Sequence, residues 1–135
     1  MKKPTVFISY ARKDAKWKDR LLDPLRALEQ AGRLIVWDDQ KIRAGDKWYP
    51  EIQKAIDDSS VAVCLISSLF LASKFISEEE VPYLLGHRNR GRLALVSILL
   101  THCPWTEIQW LKETQILPGN SLSIKDLTPA NGQTS

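Results

Sequence analysis

The side chains able to do chemistry fall into a few groups. Glu78-Glu79-Glu80 is an acidic tripeptide. Three neighbouring carboxylates can stabilise positive charge, yet taken alone they are also what a solvated helix N-terminus carries, because the helix dipole favours anions there. Arg12, Lys13, Lys41 and Arg43 are cations in two polar loops and give a weak preference for an anion. Asp38 stands where an apolar run ends; it could bond a ligand hydroxyl, but capping its own loop is the stronger reading. His87 and His102 have no ligand partners at metal-binding spacing. Cys64 and Cys103 are far apart, Cys64 inside an apolar run as a small core residue and Cys103 in a loop, so neither a disulfide framework nor a metal site is expected. There is no glycine-rich dinucleotide fingerprint and no phosphate-cradling Walker motif.

These groups need a scaffold, and the sequence supplies one. The 135 residues suit one domain with a proper core, and 44% hydrophobic with 26% charged residues is an ordinary globular balance. The net charge of +3, with no basic run interleaved with aromatics, argues against direct nucleic-acid binding. Leu93 to Leu100, broken by Ser97, is the longest apolar run and is far short of the roughly 20 residues a membrane span takes. The N-terminus leads straight into a short apolar strand rather than a secretory signal, so the chain reads as cytoplasmic with no membrane partner.

Val6 to Tyr10, Leu34 to Trp37, Val61 to Ile66 and Ala94 to Leu99 are apolar, strand-length runs. Val61 to Ile66 has the unbroken character of a central strand buried on both faces. Between them, Trp17, Leu21, Leu25 and Leu28 recur at helical spacing behind a cap at Asp14, and Gly32 suits a left-handed helix end. Asp46 can cap a second helix bearing Trp48, Ile52, Ala55 and Ile56, with Pro50 tolerable in its first turn. Pro82 must kink or restart the helical region from Leu69 to Leu85. Ser121 to Ile124 reads as a short edge strand, and Thr128 to Ser135 as a polar tail or linker. Alternating strands and helices predict a parallel sheet with right-handed crossovers and helices on both faces. Ligands of such sheets bind at the carboxyl ends of the strands, which places Ser9 to Lys13, Asp38 to Lys47 and Ser67 to Glu79 at one edge. A response regulator would need an aspartate where Ser67-Ser68 stand, and a flavodoxin a phosphate loop where Ala11 to Asp14 stand.

Phe7-Ile8-Ser9-Tyr10, Trp37-Asp38 with Ile42-x-x-Gly45, Ala55-Ile56 with Ser59, and Phe75-Ile76-x-x-Glu79-Glu80 appear in the order and at the separations of a known family. Over most of residues 4–127 the chain resembles the TIR (Toll/interleukin-1 receptor) domains, and within them the bacterial NAD-cleaving type. The resemblance implies a TIR domain over residues 1–127, α/β and flavodoxin-like, with an open parallel sheet of about five strands in the order 2-1-3-4-5 and helices on both faces, and a flexible tail over 128–135. It implies either of two functions. One is cleavage of the nicotinamide–ribose bond of NAD+, giving ADP-ribose or a cyclic isomer, as an immune effector activated by self-association. The other is a non-catalytic TIR–TIR scaffold.

The glutamate four positions after an aromatic separates the two, and here that spacing gives Phe75 and Glu79, which makes Glu79 the expected catalytic residue. One carboxylate suffices, because nicotinamide leaves as a neutral molecule and needs no general acid, while the ribosyl cation left behind needs a negative neighbour. NAD+ would then be the substrate, with no cofactor and no metal. Arg12 would lie near the substrate phosphates or be an ordinary exposed arginine. Ser9, Tyr10, Asp38, Arg43, Trp48 and Phe75 complete the expected substrate walls, although the helical spacing of Trp48 with Ile52 favours a core position. Gln40, Lys41, Ile42, Arg43, Ala44, Gly45 and Asp46 correspond to the family's BB loop and would meet another TIR domain. Further domains of a larger protein are expected partners as well. Glu78 and Glu80 keep their reading as solvated charges.

Overall fold

A computed structural model describes residues 3–38, 48–114, 116–119 and 122–127. The first strand, β1 (Thr5–Ser9), is buried along its whole length. Side chains alternate across a strand, so Phe7 joins one core while Val6 and Ile8 join the other. The same alternation sends Cys64 and Ile66 of β3 (Val61–Ile66) to the first core and Leu65 to the second. With β2 (Ile35–Trp37), β4 (Ala94–Leu99) and β5 (Ile116–Leu117) these strands form one sheet in the order β2-β1-β3-β4-β5. Every pairing is parallel. The expected order and fold class are what the chain adopts.

Parallel strands need crossovers, and right-handed crossovers in opposite directions put their helices on opposite faces. α1 (Ala15–Gln30) leads from β1 out to β2 and packs Leu22 into the second core. α2 (Trp48–Asp57) and α4 (Val81–Asn89) lead the other way and pack Ile52, Ile56 and Leu84 into the first. α5 (Gln109–Lys112) adds Leu111 to that same side. The predicted stripe of α1 is displaced at its end: Leu28 is exposed and Leu22 is the buried residue. Gly32 takes the left-handed conformation at φ 77° just after α1, as expected of a glycine there.

Two local expectations are corrected. Asp14 does not cap α1 with its side chain. It sits in a 3-10 turn over Arg12–Asp14, and its carboxylate accepts a 2.5 Å hydrogen bond from Ser67 Oγ. The edge strand is Ile116–Leu117 rather than the segment ending at Ile124. Ser123 instead exchanges hydrogen bonds with Asp126 in a turn, the side-chain to backbone competition that serine and aspartate bring to a strand.

Between β3 and α4 lie a short helix α3 (Ser68–Ala72) and a π-helical turn over Ile76–Glu80. The Val81 N–H donates to the Ile76 carbonyl, five residues back. Pro82 explains the change of pattern. It has no N–H to offer, and its ring clashes with the carbonyl four residues earlier in a regular helix. The helix therefore restarts, with the proline in the first turn of α4.

Candidate active site

The strand order reverses between β1 and β3, and the crevice outside the carboxyl ends of two such strands is where open α/β sheets bind ligands. A cleft of about 640 Å³ lies there, within the size range of small-molecule sites. Phe7, Ile8 and Trp37 form its floor, Tyr10 to Lys13 one wall, Trp48 and Ile52 of α2 a second, and Leu69 to Glu80 a third. The mouth is cationic, with Arg12 and Lys13 both exposed. Its aromatic wall is a cluster: Trp48 meets Phe75 edge-on at 4.5 Å between centroids, and Tyr49 meets Phe75 edge-on at 5.3 Å.

Ser67 joins the two strands of the switch point. Its hydroxyl accepts from the Phe70 N–H, capping α3, while it donates to the buried Asp14 after β1. Ser67→Ala removes a cap and takes a donor from a buried carboxylate, so it is expected to cost about 2–3 kcal/mol. A denaturant midpoint within error of wild type would contradict this double role.

Residues 6–127 match the family model of the TIR domain. The chain belongs to the TIR domain family. It is similar to the uncharacterized protein y4lF of Sinorhizobium fredii, 28% identical over 102 residues covering 76% of this chain. The chain spans about a third of y4lF, 32% of its length. Among solved structures it resembles the TIR domains of the activated Roq1 resistosome, which recognises the pathogen effector XopQ. That likeness has a TM-score of 0.62 and 25% identity over 77% of this chain and 61% of that one. It also shares the fold of the TIR domain of the Toll-related receptor TRR-2 from Hydra magnipapillata, with a TM-score of 0.56 and 22% identity over 73% and 71% of the two chains.

In this TIR domain Tyr10, Arg12, Trp48 and Phe75 share the cleft. Trp48 is a cleft residue and not the core residue its spacing suggested: it is 51% exposed. It is the first residue of α2, where the apolar stripe that carries Ile52 into the core runs out over the sheet edge. Ser9 is buried at the end of β1, paired in register with Cys64, and forms no part of the walls.

Asp38 is not among the residues that line the cleft. Its side chain is buried and ion-paired, with Arg26 Nη2 at 3.1 Å and Lys18 Nζ at 3.7 Å. Arg43 and the segment Gln40, Lys41, Ile42, Ala44, Gly45 and Asp46 lie outside the described residues.

The acidic tripeptide divides in a way its spacing did not suggest. Glu79 is exposed and accepts a 3.2 Å hydrogen bond from the Tyr49 hydroxyl. Burial, and then that carboxylate, hold the Tyr49 phenol above its usual pKa. Glu80, expected to be solvated, is 6% exposed and lines the cleft. Burial first, and then the Glu80 charge, push the Cys64 thiol up. Tyr49 and Glu80 are therefore the residues that sequence reasoning missed, and Pro82 is the signal that the helical count was unsafe there. Among the described residues no cluster of His, Cys, Asp and Glu could hold a metal ion, and no helix is long and apolar enough to cross a membrane.

Proposed function

We propose that this TIR domain cleaves the nicotinamide–ribose bond of NAD+ in the cleft at the strand switch point, as a signalling domain of immune type that acts on self-association. The observation that carries the reading is the composition of that cleft. A cationic mouth at Arg12 and Lys13, an aromatic wall at Trp48 and Phe75, and a carboxylate-bearing turn surround one space. The cations suit the pyrophosphate, the aromatic faces suit a planar ring, and the carboxylate suits positive charge developing at the ribose.

In the reaction the bond between ribose C1′ and the pyridinium nitrogen breaks, and its electron pair leaves with nicotinamide, which becomes neutral. The ribosyl cation is captured by water, which loses a proton to give ADP-ribose, or by a nucleophile of the same molecule to give a cyclic isomer. The segment 40–46 is proposed to meet a second copy. The Roq1 TIR domains belong to an activated resistosome, which supports assembly as the trigger. Closing a site from two chains costs association entropy, so turnover is expected at high protein concentration and not in dilute solution.

The test is nicotinamide release from NAD+ by concentrated or tethered protein. Arg12→Ala with Lys13→Ala is expected to raise KM roughly 10- to 100-fold with kcat little changed, since the lost contacts bind substrate and transition state alike. Absence of turnover in the assembled wild type would leave this domain a TIR–TIR scaffold.

A further inference from the structure

An α-helix turns about 100° per residue, so the residue four positions after Phe75 would return to nearly the same face. That count selects Glu79. The backbone after Phe75 is not α-helical. Over Ile76–Glu80 it is bonded five residues apart, closing with Val81 N–H to Ile76 O. A turn widened by one residue no longer singles out the fourth position: the fourth and fifth fall on either side of the face that Phe75 occupies, so the count alone does not choose between Glu79 and Glu80. Burial makes the choice. Glu80 is 6% exposed and a wall of the cleft, whereas Glu79 is exposed on the outer side with Tyr49 as its partner. Glu80 also lies close enough to the fully buried Cys64 of β3 for its charge to act on that thiol, which places it over the strand switch point.

Resting on the NAD+-cleaving reading, we infer that Glu80, and not Glu79, is the catalytic carboxylate that faces the ribosyl cation, and that Glu79 is a positioning residue that holds Tyr49 against Phe75. The physical distinction is solvent. A charge at the water-exposed position acts through a high dielectric, while one in the walls of a closed cleft acts on the developing cation with far less screening. Glu79 acts through the aromatic cluster: its hydrogen bond fixes Tyr49, whose ring braces Phe75 and through it the packing of Trp48.

The experiment compares nicotinamide release at high protein concentration for wild type, Glu80→Gln, Glu79→Gln and Tyr49→Phe. Glu80→Gln is expected to lower kcat about 100- to 1,000-fold with KM little changed. Glu79→Gln should lose less than tenfold, matched by Tyr49→Phe and without further loss when the two are combined. Deletion of Ser77 keeps both glutamates and serves should Glu80→Gln not fold. With one residue fewer, an α-helical count places Glu80 four positions after Phe75, so activity persists, whereas a catalytic Glu79 would be rotated off the cleft and activity lost. Binding gives a second readout: wild type should prefer NAD+ over the uncharged ring of NADH, and Glu80→Gln should lose that preference while Glu79→Gln keeps it. An active Glu80→Gln beside an inactive Glu79→Gln overturns this assignment and leaves NAD+ cleavage standing. Wild type that neither releases nicotinamide nor binds NAD+ overturns both.

Discussion

Asp38→Ala is expected to lower stability by about 3–5 kcal/mol, because removing one member of a buried ion pair strands the other. The stranded group is Lys18, whose side chain is fully buried, with Asp38 at 3.7 Å and the ring of Tyr10 5.1 Å away. Its remaining carboxylate partner, Asp19 at 2.8 Å, is 64% exposed and offers a weaker, hydrated interaction. Arg26, the second partner of Asp38, keeps Glu29 at 3.0 Å and reaches solvent, so it adds little to the loss. In urea the midpoint should fall by about 2 M for a slope of about 2 kcal/mol per M. The double variant Lys18→Met with Asp38→Leu should recover much of the deficit, since apolar replacement of a buried pair is often neutral or stabilising. A single-variant loss under about 1 kcal/mol would show that Lys18 is satisfied without Asp38.

Phe7→Ala is expected to cost a similar amount, about 3–5 kcal/mol, for a different reason. Phe7 is 1% exposed at the middle of β1, a strand paired on both sides, and stacks on Trp37, with 5.3 Å between centroids and 14° between planes. Truncation leaves a void walled by a rigid sheet, which can collapse only in part. For a domain of this size the expected fall in Tm is about 10–18 °C. A cycle with Trp37→Ala should give a coupling of about 0.5–1.5 kcal/mol from the stacked pair. Phe7 is also part of the cleft floor, so Phe7→Leu, which fills most of the volume, separates loss of fold from loss of ligand binding.

The parts of the structure legible in the sequence were those decided by neighbours along the chain. Val61 to Ile66 forms β3 because an unbroken apolar run has few other homes, and Gly32 marks the end of α1 because its conformation excludes most side chains. The parallel sheet followed from alternation and handedness, and its strand order from the family resemblance. What escaped was set at a distance or by a change of period. Asp38 meets partners 12 and 20 positions earlier on α1, and nothing local in Trp37-Asp38 reveals them. Trp48 kept its helical spacing, but spacing does not say where the sheet beneath a helix stops. Glu80 was read as solvated because nothing within Glu78-Glu79-Glu80 tells which carboxylate turns inward; the widened turn ahead of Pro82 decides it. Residues 40–46 lie outside the described residues, and the structure adds nothing to their reading as a meeting surface.

At its far end α2 is tied down twice. Asp57 Oδ1 lies 2.6 Å from the Tyr83 hydroxyl and 2.8 Å from His87 Nε2, both on α4. The Tyr83 phenol is pushed up to about 12, first by that hydrogen bond. The other end is held as well, by Trp48 and Tyr49 against Phe75 and by the Tyr49 hydroxyl on Glu79. At 1.5 Å per residue the ten residues of α2 span about 15 Å. The helix is thus a beam on two supports, and it sets the distance between the aromatic wall of the cleft and the Asp57 anchorage on α4.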